Sequence, residues 1–336
     1  MINVWDSEAW EYREVVAAIN RAPYTPQQIT SMGLFQWKPQ DTDLIAVELI
    51  SGTQSLLVET SRHGNPTEVI DDKATSVSMQ IRAHKQHAKI WADEIKGRRQ
   101  FGIPELKKSI ESVRDDRIMK ARRNFDLTNE FRYAGALVSK ILHPVTGVVL
   151  YNFNTIFNLA EPAKVFLDLG VSTGGVLMDK LDTAKASVFK TLGGLIPSGW
   201  RAVAGRTFWS AFLKNPEVRD SWNDFSNKEW ARKSHVFAGF PWGGIEWEPY
   251  HNVGSPLADF VTDDTAILIP VGVPEMFINA GAPAPWFDAL EHPALPFYAM
   301  TTRDPKQRFM EIDMESHTLP INARPDAIRI LDKDAS

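Results

Sequence analysis

The chain contains no cysteine. That excludes disulfides, thiolate metal sites and a cysteine nucleophile, and it fits a reducing compartment. An excess of positive charge is missing as well. There are 37 Lys and Arg against 42 Asp and Glu, a formal net charge of −5. A protein whose main task is gripping phosphates would be basic, so any contact with nucleic acid is expected to be weak and non-specific. Long apolar runs are absent too. A run such as 266–273 falls far short of the ~20 residues of a membrane span, and no membrane partner is expected. The first residues, Met1 to Asp6, lack a basic region followed by an apolar one, so a secretory leader is not expected. Gly170-Val171-Ser172-Thr173-Gly174 has the Gly-x-Ser-x-Gly spacing but reads as a turn into the following helix, and no His-Glu-x-x-His pair or P-loop lysine occurs. No catalytic residue, metal or cofactor is therefore expected, and the chain is read as a non-enzyme.

What is present is ample core material. The 336 residues are 43% hydrophobic and 24% charged, ordinary for a globular protein of two to three domains. Residues 1–40 read as an N-terminal arm, with a helix over 7–19 capped by Ser7 and broken by Pro23 and Pro26. Ile45, Val47 and Leu49 alternate on one face of a strand over 43–50. Ser51-Gly52-Thr53 turns the chain, residues 56–58 return it, and 63–66 turn it again, so 41–75 reads as an extended loop. Val77, Met79 and Ile81 suggest a strand, and 84–99 is polar with little clear period. From Pro104 to about Leu142 a helix of ~55 Å is expected. Its stripes, Leu106-Ile110-Val113 and Ile118-Ala121-Phe125, are offset by one residue. Mixed charges surround them, so the helix reads as mostly solvated or facing another subunit.

Farther along, Leu177, Leu181, Ala184 and Val188 follow helical spacing up to Gly193-Gly194. A strand at 200–204 and helices over 207–214 and 215–225 follow, with Thr207 and Asn215 as caps. Strands at 235–240, 245–247 and 266–270 complete an α+β unit. Seven prolines in 270–305 predict an irregular segment. Met310, Ile312 and Met314 alternate with acids on a half-buried strand, and a last strand is expected at 327–331.

Candidate chemistry is sparse. His84 and His87, with Asp93 and Glu94 near, could be half of a metal site on a helix; an exposed polar stretch is the preferred reading. Asp71-Asp72, Asp115-Asp116 and Asp263-Asp264 read as solvated surface, and Gly170–Gly175 as a turn. The aromatics of 208–250 could stack on sugars or bases, although such spacing more often builds a core. Neither the long helix nor the extended loop can be buried in one compact domain, so both point to assembly with copies of the same chain. Ile45, Val47, Leu49, Leu57, Arg114 and Arg117 are the expected inter-subunit contacts.

The order of elements resembles the tailed-phage major capsid proteins, in particular the lambda-type capsid protein E family. The likeness is carried by Tyr24–Arg62, Glu105–Leu142, Gly199–Leu213 (with Gly205-Arg206-Thr207-Phe208-Trp209) and Phe309–Leu331. It implies a Hong Kong 97-type capsid fold. A peripheral domain would comprise 76–153 and 305–336, with the spine helix at about 104–142, and an axial domain would comprise 154–304. It further implies pentamers and hexamers forming an icosahedral shell around double-stranded DNA, in the virion, after assembly in the bacterial cytoplasm. Scaffolding, portal and decoration proteins would be its partners. An encapsulin-like compartment shares this fold. A carbohydrate-binding or hydrolytic domain using 208–250 is the alternative of another class.

Overall fold

The computed structural model describes residues 10–23, 27–50, 74–97, 106–162, 164–171, 174–226, 239–251, 260–290 and 293–334. Helix α1 (Tyr12–Arg21) precedes the helical turn α2 (Gln28–Ser31) and strands β1 (Gln36–Pro39) and β2 (Leu44–Ile50). Next come β3 (Ala74–Gln80), β4 (Ala83–Trp91), α3 (Ala92–Gly97) and the long helix α4 (Leu106–Leu137). A hairpin of β5 (Lys140–Leu142) and β6 (Val149–Asn152) leads through α5 (Phe153–Ile156) and β7 (Lys164–Phe166) to α6 (Val176–Thr191). Then follow β8 (Gly199–Ala204), α7 (Arg206–Lys214), α8 (Pro216–Ser226), β9 (Phe240–Trp242), β10 (Ile245–Pro249) and β11 (Thr265–Val271). The chain closes with β12 (Phe277–Gly281), β13 (Tyr298–Arg303), β14 (Phe309–Asn322) and β15 (Arg329–Asp332).

Contacts divide the chain into two units, one of 1–46, 78–132 and 278–320, the other of 47–77, 133–277 and 321–336. These units divide the chain differently from the expected domains: 278–304 falls in the first unit, and 133–153 and 321–336 in the second.

The first unit is built on the sheet β1-β12-β14-β13, with β4 also paired to β14. Along β14, the two-residue period turns Met310, Ile312 and Met314 to one face. There they join Ile90, Ala299, Val15, Ile19 and the α4 residues Val113, Ile118, Ala121 and Phe125 in one core. Val113, Ile118, Ala121 and Phe125 of the predicted stripes are thus the packing face, and the side chains of Leu106 and Ile110 lie outside the described residues. Polar groups tie the other elements down. Glu130, buried on α4, accepts from Ile29 N at 2.5 Å, Thr30 N at 2.9 Å and Thr30 Oγ1 at 2.6 Å. It satisfies amides at the start of α2 that have no partner within the helix. Arg122 donates to Asp126 and to Ile19 O, both at 3.0 Å, and lies 3.9 Å from the Phe297 ring centre.

The second unit holds a mixed six-stranded sheet, β7-β15-β11-β8-β10-β9. Strand β11 runs antiparallel to both β8 and β15, while β8 with β10 and β15 with β7 are parallel pairs. Its core joins Leu177, Leu181 and Ala184 of α6 with Phe208, Phe212, Phe240, Trp242 and Trp247. The Phe212 and Trp247 ring centres are 4.3 Å apart, and the indole N–H of Trp247 donates to Trp242 O at 3.1 Å. Asn215 caps α8, accepting from Glu217 N at 3.0 Å and donating to Leu169 O at 3.1 Å. Gly205, which caps α7, has no room for a side chain: a Cβ there would meet the backbone carbonyls of Thr262 and Asp263.

Several expectations are corrected. Helix α4 ends at Leu137, not 142, because Ser139 turns left-handed (φ 64°) and 140–142 pair with β6. Its C-terminal part is not solvated: Asp126, Glu130 and Arg132 are buried, and Arg132 bonds the Thr318 carbonyl at 2.5 Å. Most of 84–99 is a strand with a short helix, not featureless polar chain. In 270–305, β12 and β13 occupy the proline-free windows 275–282 and 297–304. Helix α1 starts at Tyr12 with Glu11 before it, and α7 is capped by Gly205 rather than Thr207. Strand β14 extends to Asn322, and everything from Glu315 onward is buried. The expected turns at 51–53 and 63–66, the return at 56–58, Leu57, Ser7 and residues 235–238 lie outside the described residues.

Candidate subunit-contact surfaces

A shell subunit needs exposed surface that is rigid and complementary. Of the predicted contact residues, Ile45 and Val47 are only 2% and 4% exposed in the single chain. Alternation identified their face correctly, but that face is covered by the chain itself, which corrects the expectation that it lacks a partner. The other face of β2 carries Leu44, which is exposed. The side chain of Leu49 lies outside the described residues. Arg114 is buried and bonded to Asp115 through Nε at 2.9 Å and Nη2 at 2.8 Å; its guanidinium is engaged within its own chain. Arg117 is accessible, paired with Glu94 at 2.9 Å.

Around Arg117 the first unit presents a polar concavity of about 640 Å³, lined by Gln86, His87, Lys89, Glu94, Lys120 and Asn124 among others. It borders the exposed stripe of α4: Ser112, Asp116, Lys120, Arg123 and Leu127. The outer face of β4 and β14 carries a ladder of opposite charge. Lys85, His87 and Lys89 stand in register with Glu315, Asp313 and Glu311. The two lysine pairs measure 2.8 and 3.7 Å. Burial pushes the Asp313 carboxyl up from its usual range, and the neighbouring Glu311 adds to this. His84 and His87 sit on a strand three residues apart and so point to opposite faces. They cannot form the half-site considered above, and no metal-binding cluster occurs among the described residues.

Three exposed apolar tips were missed in the sequence. In the first unit, Phe287 is 93% exposed and Leu290 is exposed beside it, on the loop between β12 and β13. The loop is anchored by Trp286, whose ring stands edge-on to Tyr12 at 6.5 Å and Tyr298 at 6.4 Å. Burial, then the proximity of Tyr298 and Asp288, pushes the Tyr12 hydroxyl up to about 12. In the second unit the β5–β6 hairpin exposes Val145 (72%), Val148 and Val149. Its turn is held by His143 Nδ1, which accepts from Val145 N and Thr146 N, both at 3.2 Å. The loop after α6 exposes Ile196 at 80%. The signal available was chemical: apolar side chains at turn positions among Pro and Gly, where polar residues are the rule.

Among the described residues, the aromatics of 208–250 pack mainly into the core. Phe208, Phe212, Phe240, Trp242 and Trp247 are buried and packed on one another.

The sequence matches the family described as phage major capsid protein E over residues 11–333. The chain belongs to that family. Over 218 residues it is 25% identical to the major capsid protein of Salmonella phage Felix O1 (isolate Felix O1-VT1), covering 62% of this chain and 57% of that protein. The chain thus spans little more than half the length of this relative. A crystal structure from E.coli CFT073, described as a prophage capsid protein, aligns with a TM-score of 0.53 at 12% identity, covering 94% of this chain and 97% of that one. The capsid of cyanophage P-SCSP1u aligns with a TM-score of 0.50 at 10% identity, covering 90% and 87%. The capsid of Ralstonia phage GP4 does so at 9% identity with the same score and coverage. The fold is that of the Hong Kong 97-like phage capsid proteins, mixed helix and sheet.

Proposed function

We propose that this chain is a major capsid protein, a structural subunit without enzymatic activity. It assembles with its own copies as pentamers and hexamers into an icosahedral shell around double-stranded DNA. The observation that carries this reading is the family match, which runs through both compact units. The second unit would be the axial domain and the first the peripheral domain, with α4 as its spine. The three apolar tips supply what a shell subunit needs: a loose apolar side chain costs nothing on a monomer's surface, but one held rigidly at a turn gains its burial energy only against a partner. Arg117, Leu44, Leu49 and Leu57 join the proposed contacts. A net charge of −5 suits an inner wall that must let DNA slide during filling, because each phosphate gripped strengthens binding. The absence of cysteine suits assembly in the host cytoplasm, with scaffolding, portal and decoration proteins as partners.

Membership of a phage capsid family favours a virion shell over a cargo compartment. The buried aromatic core removes the motive for the carbohydrate reading. The test is sedimentation of the wild-type chain beside Phe287→Ser, Val145→Ser and Ile196→Ser variants. Large assemblies of the wild type, lost in the variants while their circular dichroism is unchanged, are expected. Assembly that is indifferent to all three would overturn the placement of the contacts.

A further inference from the structure

Among the described residues, β4 pairs with β14 and with no strand on its other side. The register fixes which of its backbone groups are left over. Ala92 N, just past the strand, donates to Arg308 O at 3.1 Å, and the pairing keeps that frame from Trp91 back to Ala83. On the other side of β14, Asp304 N donates to Phe309 O at 3.2 Å, so the odd residues of β14 serve β13 and its even residues serve β4. Bonded and non-bonded residues alternate along an antiparallel pair. The even residues of β4 therefore bond β14, and the N–H and C=O of Lys85, His87 and Lys89 turn outward to the free edge.

That edge opens on the concavity of about 640 Å³. Gln86, His87, Ala88 and Lys89 all line it. Successive side chains of a strand point to opposite faces, so a hollow touched by four in a row runs along the edge. Its far wall is α4, through Arg117, Lys120, Ala121 and Asn124, whose spacing makes one helical face. A free strand edge recruits an extended segment through backbone bonds, with specificity from the side chains around it. Edges are often guarded by lysines, but here the edge lysines lean back onto β14: Lys85 to Glu315 at 2.8 Å, Lys89 to Glu311 at 3.7 Å. Arg117 is held by Glu94 at 2.9 Å. Lys120 is exposed and has no hydrogen bond or ion pair among the described residues. The lining cations Lys89, Arg117 and Lys120 face one carboxylate, Glu94, so an acidic segment is favoured.

Two copies of β4 paired antiparallel about His87 would set Lys85 opposite Lys89, and like charges directly opposite repel. Among the described residues, the chain's own runs with acids at alternate positions are engaged. Arg201 holds Glu246 and Glu248, Lys89 and Lys85 hold Glu311 and Glu315, Lys164 holds Asp332, and Gln80 bonds Asp43. We propose that this groove receives an extended segment of a different protein, with carboxylates at alternate positions. The segment bonds the outward backbone groups of His87 and Lys89, and its acids meet Lys120 and Arg117. The groove lies wholly within the first unit, so the proposal stands or falls separately from the capsid reading.

The experiment is fluorescence anisotropy with amide hydrogen exchange on the full chain. The probe is a labelled peptide, Thr-Asp-Val-Glu-Thr, compared with its amide counterpart Thr-Asn-Val-Gln-Thr and competed with a short DNA duplex. The acidic peptide is expected to bind saturably, roughly tenfold more tightly than the amide one, the worth of two partly exposed ion pairs. It should slow exchange at the His87 and Lys89 amides. Lys120→Gln should cut the preference to roughly threefold. His87→Pro removes an outward N–H and no bond to β14, so binding should be lost while the melting temperature stays near that of the wild type. Absence of saturable binding of the acidic peptide would overturn the proposal. So would binding that leaves exchange at His87 and Lys89 unchanged, or binding that survives in His87→Pro. A preference undiminished in Lys120→Gln would overturn it whether or not the proline variant folds. Displacement by the duplex at lower concentration than by unlabelled peptide would give the groove to phosphates instead.

Discussion

The two units solve the problem of holding a sheet against helices in different ways. The second uses stacked rings: Phe208, Phe212 and Trp247 pack face to face or nearly so, and the polar atom inside, the indole N–H, is satisfied locally. The first uses a mostly aliphatic core that also holds Trp10, Phe125 and Phe297, tied by charged and polar side chains: Glu130 to α2, Arg122 to α1, Arg132 to β14, and Glu315 held between Lys85 and His317 at 2.8 Å each. Dispersion between rings is insensitive to pH. Charged ties depend on protonation, and each leaves an unpaired buried group when a partner is lost. The ring stack should therefore be indifferent to pH, with the Asp326 carboxyl, which burial pushes up, as a titrating group elsewhere in the second unit, and the first unit should respond to acid through His317.

The largest effect should come from the ring stack. Phe212→Ala is expected to cost about 3–5 kcal/mol, read by urea denaturation, and to cost the same at acid and neutral pH. A pH-dependent loss would blur the contrast. Glu130→Ala should cost about 2–4 kcal/mol through the donors of Ile29 and Thr30 left without an acceptor. Hydrogen exchange at those two amides should rise, and amides of the second unit should stay protected; a change spread over both units would count against the local tie. Gly205→Ala should cost about 1–3 kcal/mol, since Cβ meets backbone rather than a flexible side chain. A neutral outcome would mean the 262–263 turn yields easily.

Acid should act on the first unit through His317. Burial lowers its pKa, against the opposing hydrogen bond to the Glu315 carboxylate. The unfolded chain then takes up the proton more readily than the folded one. This contribution is therefore complete above the unfolded value of about 6.5 and is lost as pH falls through it. Urea midpoints of the wild type should drop across that window, and those of His317→Gln should drop less; parallel curves would clear His317 of the role. Smallest of all, Val145→Ser, Ile196→Ser and Phe287→Ser should shift monomer stability by less than about 0.5 kcal/mol, although each removes a proposed contact.

Where a single period governed burial, the sequence was readable. The α6 positions 177, 181, 184 and 188 and the β14 positions 310, 312 and 314 are core as their spacing required. Of the aromatics of 208–250, Phe208, Phe212, Phe240, Trp242 and Trp247 are core, as weighed. Other elements were set by partners distant in sequence. The face of Ile45 and Val47 showed plainly, but not what would cover it. Glu130 on the long helix gave no sign of its burial, because nothing near it in sequence reveals that Ile29 and Thr30 will claim it. Prolines around 277–281 and 298–303 hid two strands that they only flank. The exposed tips went unnoticed because three valines near a Pro-Gly turn have no period to betray them.

Cryo-electron microscopy of the purified full-length chain tests the central claim most directly. Five- and six-membered rings or closed polyhedra are expected, with the 285–290 loop, the 143–149 hairpin and Ile196 each buried against another copy. Rings or shells in which all three tips face solvent would contradict the account, as would a chain that remains monomeric at every concentration.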